Sequence, residues 1–334
     1  MPRSVVVARA EPGLLAHFPD AVALGGGRLL ATWREGAGHV HSDGRIRLAE
    51  STDGGHTWGE PWTAVDGKHD DRDPKIVRLS DGTVLLSWFV LDWATEPHTN
   101  LGTWVSRSTD DGRSWSEPVL VGTAMTGGGN GPGWSASHGA AVELPGGELL
   151  LPIYGTLPGR GRERATVVRS SDGGRSWPVA GETLVAAADE ADFQEPTLTV
   201  LGDGQLVALI RTTGPVAWLA RSVDGGRTWS EPRPTDLPAS SHHALALESG
   251  EVLVTYGDLS SRFSERRETV GRIVQDPAES WDGYGDVQLY DSGHHDQANP
   301  SSVEVEPGRF LTVGFDIPAA AVVGVFTGRR DYPG

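Results

Sequence analysis

Ser51-Thr52-Asp53-Gly54-Gly55-His56-Thr57-Trp58 decides the fold, because the pattern returns three more times along the chain. The other copies are Ser108-Thr109-Asp110-Asp111-Gly112-Arg113-Ser114-Trp115, Ser170-Ser171-Asp172-Gly173-Gly174-Arg175-Ser176-Trp177 and Ser222-Val223-Asp224-Gly225-Gly226-Arg227-Thr228-Trp229, all reading Ser-x-Asp-x-Gly-x-Ser/Thr-Trp. Their starts are 57, 62 and 52 residues apart. Each copy describes a hairpin turn: Asp accepts bonds from turn amides, Gly takes positive φ, and Trp packs back between neighbouring sheets. Asp276-Pro277-Ala278-Glu279-Ser280-Trp281 keeps the Asp and the Trp and reads as a worn fifth copy.

Around these turns lies a second repeat, in which a short strand, a Gly turn and an apolar strand follow one another, as from Ile76 to Trp88. The other five run over 21–33, 140–154, 197–211, 244–256 and 302–315. Six repeats in 334 residues leave about 56 each, the size of a four-stranded propeller blade with its loops. The sequence therefore predicts an all-β, six-bladed β-propeller of four-stranded antiparallel blades, a single domain over 1–334. Val5 to Ala8 is expected to supply the outer strand of the last blade, closing the ring and protecting its edges.

Composition narrows the partners. With 28 Lys and Arg against 45 Asp and Glu, the net charge of −17 argues against a nucleic-acid surface. The absence of Cys removes disulfides, thiolate metal sites and cysteine nucleophiles. No apolar run approaches the roughly 18 residues of a membrane span, so no membrane partner is expected. The segment from Met1 to Pro12 holds no export-signal core, which sets a cytoplasmic location as the expectation.

The four turns resemble the Asp boxes of the sialidase (neuraminidase) superfamily. That resemblance implies a six-bladed propeller with a glycan bound at its central mouth. It also implies a site in which three Arg hold the substrate carboxylate, a Tyr nucleophile is activated by a Glu, and an Asp serves as acid/base. The residue types suit the chemistry: planar guanidinium groups give bidentate, charge-assisted bonds to a carboxylate, and a Tyr avoids repulsion beside an anionic sugar.

Phe193-Gln194-Glu195-Pro196-Thr197 and Leu209-Ile210-Arg211, in the fourth blade, resemble the family's Glu and second Arg. The first blade reads His17-Phe18-Pro19-Asp20-Ala21 where related chains carry an Arg, so Arg34 is expected to stand in, with Asp20 as a further substrate contact. The third Arg comes from Arg262, Arg266 or Arg267, of which Arg267 is carried as the candidate. The sixth blade opens Asp296-Gln297-Ala298-Asn299-Pro300, placing Asn299 where the family has its Tyr; Tyr256 and Tyr290 are the nearby tyrosines. Asn299 is a candidate sugar contact.

In the second blade, His69-Asp70-Asp71-Arg72-Asp73-Pro74 should present Asp73 to the mouth as Glu195 is presented, giving paired catalytic carboxylates with Arg72 beside them. His39 and His41, in the loop Gly38 to Asp43, are candidate acid/base groups, and His138 and His243 are candidate donors to sugar hydroxyls. Histidines near Asp70, Asp73 or Asp296 have donor atoms suited to a divalent metal. No tight ligand spacing such as His-Glu-x-x-His occurs, so neither a metal nor a cofactor is assigned. Gly127 to Gly131 reads as a mouth loop, with Trp134 as a stacking platform.

The expected function is a sialidase-like exo-glycoside hydrolase acting on a terminal acidic sugar of a glycan or a small sugar. The alternatives are a non-catalytic carbohydrate-binding propeller, favoured by the missing Arg and Tyr, and a His-based glycosidase or polysaccharide lyase on the same scaffold.

Overall fold

The computed structural model describes residues 3–94, 98–125 and 133–333; the Gly127 to Gly131 loop lies outside them. The chain forms six antiparallel sheets arranged as propeller blades. Blade one runs Leu15–Gly25, Arg28–Gly36, Arg45–Ser51 and Trp62–Val65. Blade two runs Asp70–Arg78, Val84–Asp92, Thr99–Ser108 and Val119–Leu120. Blade three begins with Trp134–Ser137 and Val142–Glu143, which share the partner strand Leu149–Thr156, and continues through Glu163–Ser170 and Glu182–Ala186. Blade four is Phe193–Val200, Leu206–Thr212, Val216–Ser222 and Arg233–Pro238. Blade five is His242–Ala246, Val252–Gly257, Thr269–Val274 and Val287–Tyr290.

Blade six joins both ends of the chain. Gln297–Glu306, Arg309–Asp316 and Ala321–Gly328 are completed by Arg3–Arg9, which pairs antiparallel with the third strand from Arg3 opposite Phe326 to Arg9 opposite Ala321. The outer strand predicted at Val5 to Ala8 is thus present, and it covers an edge that would otherwise be open.

The repeated turns are built as their residues dictate. In the first, Ser51 Oγ donates to Asp53 Oδ1 at 2.9 Å and accepts from Gly55 N at 2.9 Å, while Asp53 accepts from Thr57 N at 2.9 Å and Thr57 Oγ1 at 2.6 Å. Gly55 is required twice over, by φ of 89° and because a Cβ there would meet Leu311 Cδ2 at 2.6 Å. The Trp of each turn packs between its own blade and the one before it: Trp58 against blades six and one, Trp115 against one and two, Trp177 against two and three, Trp229 against three and four. The worn copy keeps this role, since Trp281 is buried between blades four and five. The remaining seam, between five and six, is filled by Tyr332 against Phe310 and Leu253. Blade six has no such turn because its outer strand arrives from the other end of the chain.

Candidate active site

Four inner strands begin with the same device. Phe18, Asp73, Glu195 and Asn299 each precede a proline and each hold positive φ, at 53°, 47°, 46° and 47°. Each sits where pairing with the second strand skips, between His17 and Asp20, Arg72 and Lys75, Gln194 and Thr197, and Ala298 and Ser301. A bulge re-aims one side chain, and the following proline lacks the N–H that the ladder would otherwise lose. All four side chains line one cavity of about 530 Å³. Holding non-glycine residues in this conformation costs of order 1–2 kcal/mol each, and the rest of the blade supplies it.

Charge in the cavity is concentrated on one relay. Arg211 Nη1 donates to Glu195 Oε1 at 2.8 Å, Ser241 Oγ donates to Glu195 Oε2 at 2.5 Å, and Arg267 Nη2 donates to Ser241 Oγ at 2.9 Å. Gly257 makes room for Arg267, since a Cβ there would come within 2.7 Å of its Nε. Burial alone would raise Glu195, but Arg211, the Ser241 hydroxyl and Arg267 hold it down to about 2. Asp73 responds the other way. Burial raises it against the pull of Arg72 and Lys75, the field of Glu195 adds to the rise, and Asp73 Oδ1 has no hydrogen-bond partner among the described residues. One carboxyl is therefore held ionised and the other is pushed toward its protonated form.

The other walls are aromatic and polar. Phe89, Leu91, Trp93 and Trp134 give apolar surface, and His98 and Asn100 join it from beside Trp93, whose ring centroid lies 4.6 Å from that of His98. Arg72 borders the cavity with its guanidinium 5.3 Å from the Phe18 ring centroid, held by bonds to His39 O at 2.8 Å and Asp70 Oδ2 at 2.9 Å.

Of the residues singled out in the sequence, Glu195, Asp73, Arg72, Arg211, Arg267, Asn299, His39 and Trp134 meet at this cavity. The others lie elsewhere. The expectation that Arg34 faces the mouth is corrected: it is fully buried behind the wall, its Nε 2.7 Å from Asp70 Oδ1 and its other nitrogens on Gly38 O and His41 O. His41 turns out to the surface and pairs with Asp43 at 2.6 Å. Asp20 is buried deeper in the channel, accepting from Ile76 N at 2.7 Å and so tying blade one to blade two. His243 also lies in that channel, where Ser302 N donates to its Nδ1 at 3.3 Å, and His138 is buried outside the cavity lining. Burial pushes His243 down to about 4 and His138 to about 3, so both are neutral at physiological pH. Tyr256 and Tyr290 are committed to Asp286 and Asp316 through their hydroxyls.

Sequence reasoning missed Ser241 and Tyr154. Tyr154 lines the cavity near the end of the second strand of blade three, the place Arg211 has in blade four. That shared position in the repeat was the available signal. Burial first, then the fields of Glu195 and Asp73, raises the Tyr154 phenol well above its usual value.

Comparison with known proteins bears out this architecture. A family model described as a BNR repeat-like domain matches residues 27–311. The chain is 26% identical over 281 residues to a sialidase of Micromonospora viridifaciens, covering 71% of this chain and 40% of that protein. It is 24% identical over 287 residues to a sialidase of Paraclostridium sordellii, covering 78% and 69%. A match to an exo-alpha-sialidase of Arthroderma benhamiae reaches 29% over 163 residues and covers 46% of this chain and 35% of the relative. The chain thus spans well under half the length of two of these three relatives. Among solved structures, a protein of unknown function from Dyadobacter fermentans superposes with a TM-score of 0.83 at 24% identity, covering 97% of both chains. The NanB sialidase of Streptococcus pneumoniae superposes with a TM-score of 0.74 at 13% identity, covering 98% of this chain and 71% of that one. With the family model matching well over half of the chain, the chain belongs to the BNR repeat-like domain family, and its six-bladed propeller has the fold of the solved NanB sialidase.

Proposed function

We propose that the chain is an exo-glycoside hydrolase of the sialidase type that removes a terminal acidic sugar. The observation that carries this reading is that Asp73 and Glu195 line one cavity in opposite surroundings, Glu195 bonded to Arg211 and Ser241 and Asp73 with its Oδ1 unpartnered among the described residues, which drives their ionisation apart. Two carboxyl groups pushed apart in this way take two different roles. Asp73, held toward its protonated form, is suited to protonate the leaving glycosidic oxygen. Glu195, held ionised by Arg211 and the Ser241 hydroxyl, is suited to orient and polarise the attacking group and to stabilise the positive charge that develops on the sugar. Arg72, Arg211 and Arg267 border the space between them and favour an anionic sugar, with Trp93 and Trp134 as stacking surfaces. The sialidase names of the relatives support the same substrate class.

A second reading has its own observation. Asn299 fills the bulge position of blade six, roughly where the family resemblance implies a Tyr, and the opening of blade one, His17-Phe18-Pro19, lacks the Arg that the resemblance implies there; both favour carbohydrate binding without turnover. Incubation with a panel of aryl glycosides, including a sialoside, uronides and neutral sugars, decides between them. Release of the aglycone that disappears in Glu195→Gln and Asp73→Asn supports the hydrolase. Silence across the panel, with glycan binding retained, supports the binding module.

A further inference from the structure

Beside the cavity, His17, His39 and Asp296 bring one donor atom each to within 4.8 Å of one another. They come from the inner strand of blade one, the loop between its second and third strands, and the approach to blade six. From the geometry we infer that these three residues form a binding site for a divalent first-row cation such as Zn²⁺. Two imidazoles and a carboxylate are a donor set that holds such ions while leaving positions for water or a ligand oxygen.

His17 carries the inference. Its side chain is fully buried, and neither ring nitrogen has a hydrogen-bond partner among the described residues. Its Nε2 stops 3.7 Å from Asp296 Oδ2, too long for a hydrogen bond and suitable for two ligands sharing one ion. His39 Nδ1 stands 3.0 Å from each oxygen of the same carboxylate. A buried imidazole with both nitrogens idle costs free energy that a cation bond would recover.

The support around the site is built rather than incidental. The His17 ring is fixed between Phe18 and Phe315, at centroid distances of 5.4 and 5.3 Å. The loop bearing His39 is pinned from below by Arg34 through Gly38 O and His41 O, and by Arg72 through His39 O itself. Those two guanidinium groups share Asp70, which offsets their repulsion of a nearby cation. This gives the buried Arg34 a purpose other than substrate contact. His39 lines the sugar cavity, so a bound cation stands at its wall, within reach of an anionic or polyhydroxylated ligand.

The test uses the full chain stripped with chelator and titrated with ZnCl₂ in the absence of any sugar, read by calorimetry and by metal content after dialysis. Co²⁺ is added in parallel for its visible spectrum. One equivalent of Zn²⁺ is expected for the parent protein, with a rise in melting temperature. Affinity should fall by at least about 10- to 100-fold in Asp296→Asn and in His39→Ala, while His41→Ala, on the exposed loop, leaves it unchanged. The His39 and Asp296 side chains are partly exposed, so these variants keep the test open if His17→Ala fails to fold. No stoichiometric uptake, or uptake that survives in Asp296→Asn and His39→Ala, overturns the site. Because no sugar is used, failure of the hydrolase reading leaves this result intact.

Discussion

Ser241 Oγ stands 2.5 Å from Glu195 Oε2 and receives a 2.9 Å bond from Arg267 Nη2. A neutral hydroxyl thus transmits the pull of one guanidinium to a carboxylate already paired with Arg211 at 2.8 Å. A hydrogen bond to a charged group contributes roughly 1.5–3 kcal/mol. Ser241→Ala should therefore lower kcat/KM for the responsive glycoside by about 10- to 100-fold and raise the pKa of Glu195, read by NMR titration of its carboxyl carbon. Ser241→Thr, which restores the hydroxyl, should recover most of the loss. A loss equal in both variants sinks the relay.

Asp73 sets the other limb. Burial raises its pKa, so the acid form needed for leaving-group protonation is lost as pH climbs through that raised value. Glu195, at about 2, stays ionised across the working range. The kcat/KM profile is therefore expected to fall on its alkaline side. Asp73→Asn should cost about 10²- to 10⁴-fold in rate and flatten that fall. An alkaline limb that persists unchanged in Asp73→Asn assigns the acid to another group.

The fold was legible because its signal is local and repeated. Asp53, Asp110, Asp172 and Asp224 each satisfy amides within four residues of themselves, so short stretches of sequence carry the whole turn. Glu195 and Asp73 were legible for a related reason, since the residue before a proline at the start of an inner strand occupies the same bulge in four blades. Arg34 was misread because strand ends alternate in direction, and only the packed structure reveals that Asp70 takes its guanidinium under the wall. The His17, His39 and Asp296 cluster left no spacing signal, since its members are brought together by ring closure across 257 residues.

Asn299 allows the strain of the bulge to be measured. At φ of 47°, Asn is among the few non-glycine residues that tolerate the left-handed region, while a β-branched side chain does not. Asn299→Val should cost about 1–2 kcal/mol beyond Asn299→Gly in urea unfolding. Equal stabilities would mean that the backbone relaxes and that the bulge is not over-determined by its neighbours.

Arg34 and Asp70 are both fully buried and 2.7 Å apart. Asp70 also accepts from Arg72 at 2.9 Å and from Trp93 Nε1 at 2.9 Å. Removing the carboxylate strands two guanidinium groups, whereas removing Arg34 leaves Asp70 with two donors. Asp70→Ala should therefore cost about 3–5 kcal/mol and Arg34→Met clearly less, with KM changed more by the first because Arg72 borders the cavity. The reverse order, measured by chemical denaturation, would contradict this reading of the network.

The stability of the ring should also depend on pH above the acid range. Burial lowers His138 and His242 to about 3 and His243 to about 4, from an ordinary value of 6.5. A base whose folded pKa is depressed contributes fully above its unfolded value and loses that contribution as pH falls toward the folded one, because the unfolded chain takes up protons that the folded chain refuses. Stability should thus decline from about pH 6.5 downward, by up to about 1.4 kcal/mol per pH unit for each such histidine. Asp71 opposes this in part. Burial raises it to about 6, so between its ordinary value of 3.8 and 6 the folded chain holds a proton that the unfolded chain has released. Below about pH 4 the repeated turns add to the loss, since Asp53, Asp110 and Asp172 are lowered to about 2 by the hydroxyl and amide bonds that close each turn, against the opposing effect of burial. His242→Leu should reduce the slope between pH 6.5 and 4 by about one proton, His243→Leu should do the same, and Asp71→Asn should steepen it. Urea midpoints measured every half unit of pH separate the three, and a slope untouched by either histidine variant would place the acid sensitivity elsewhere in the ring.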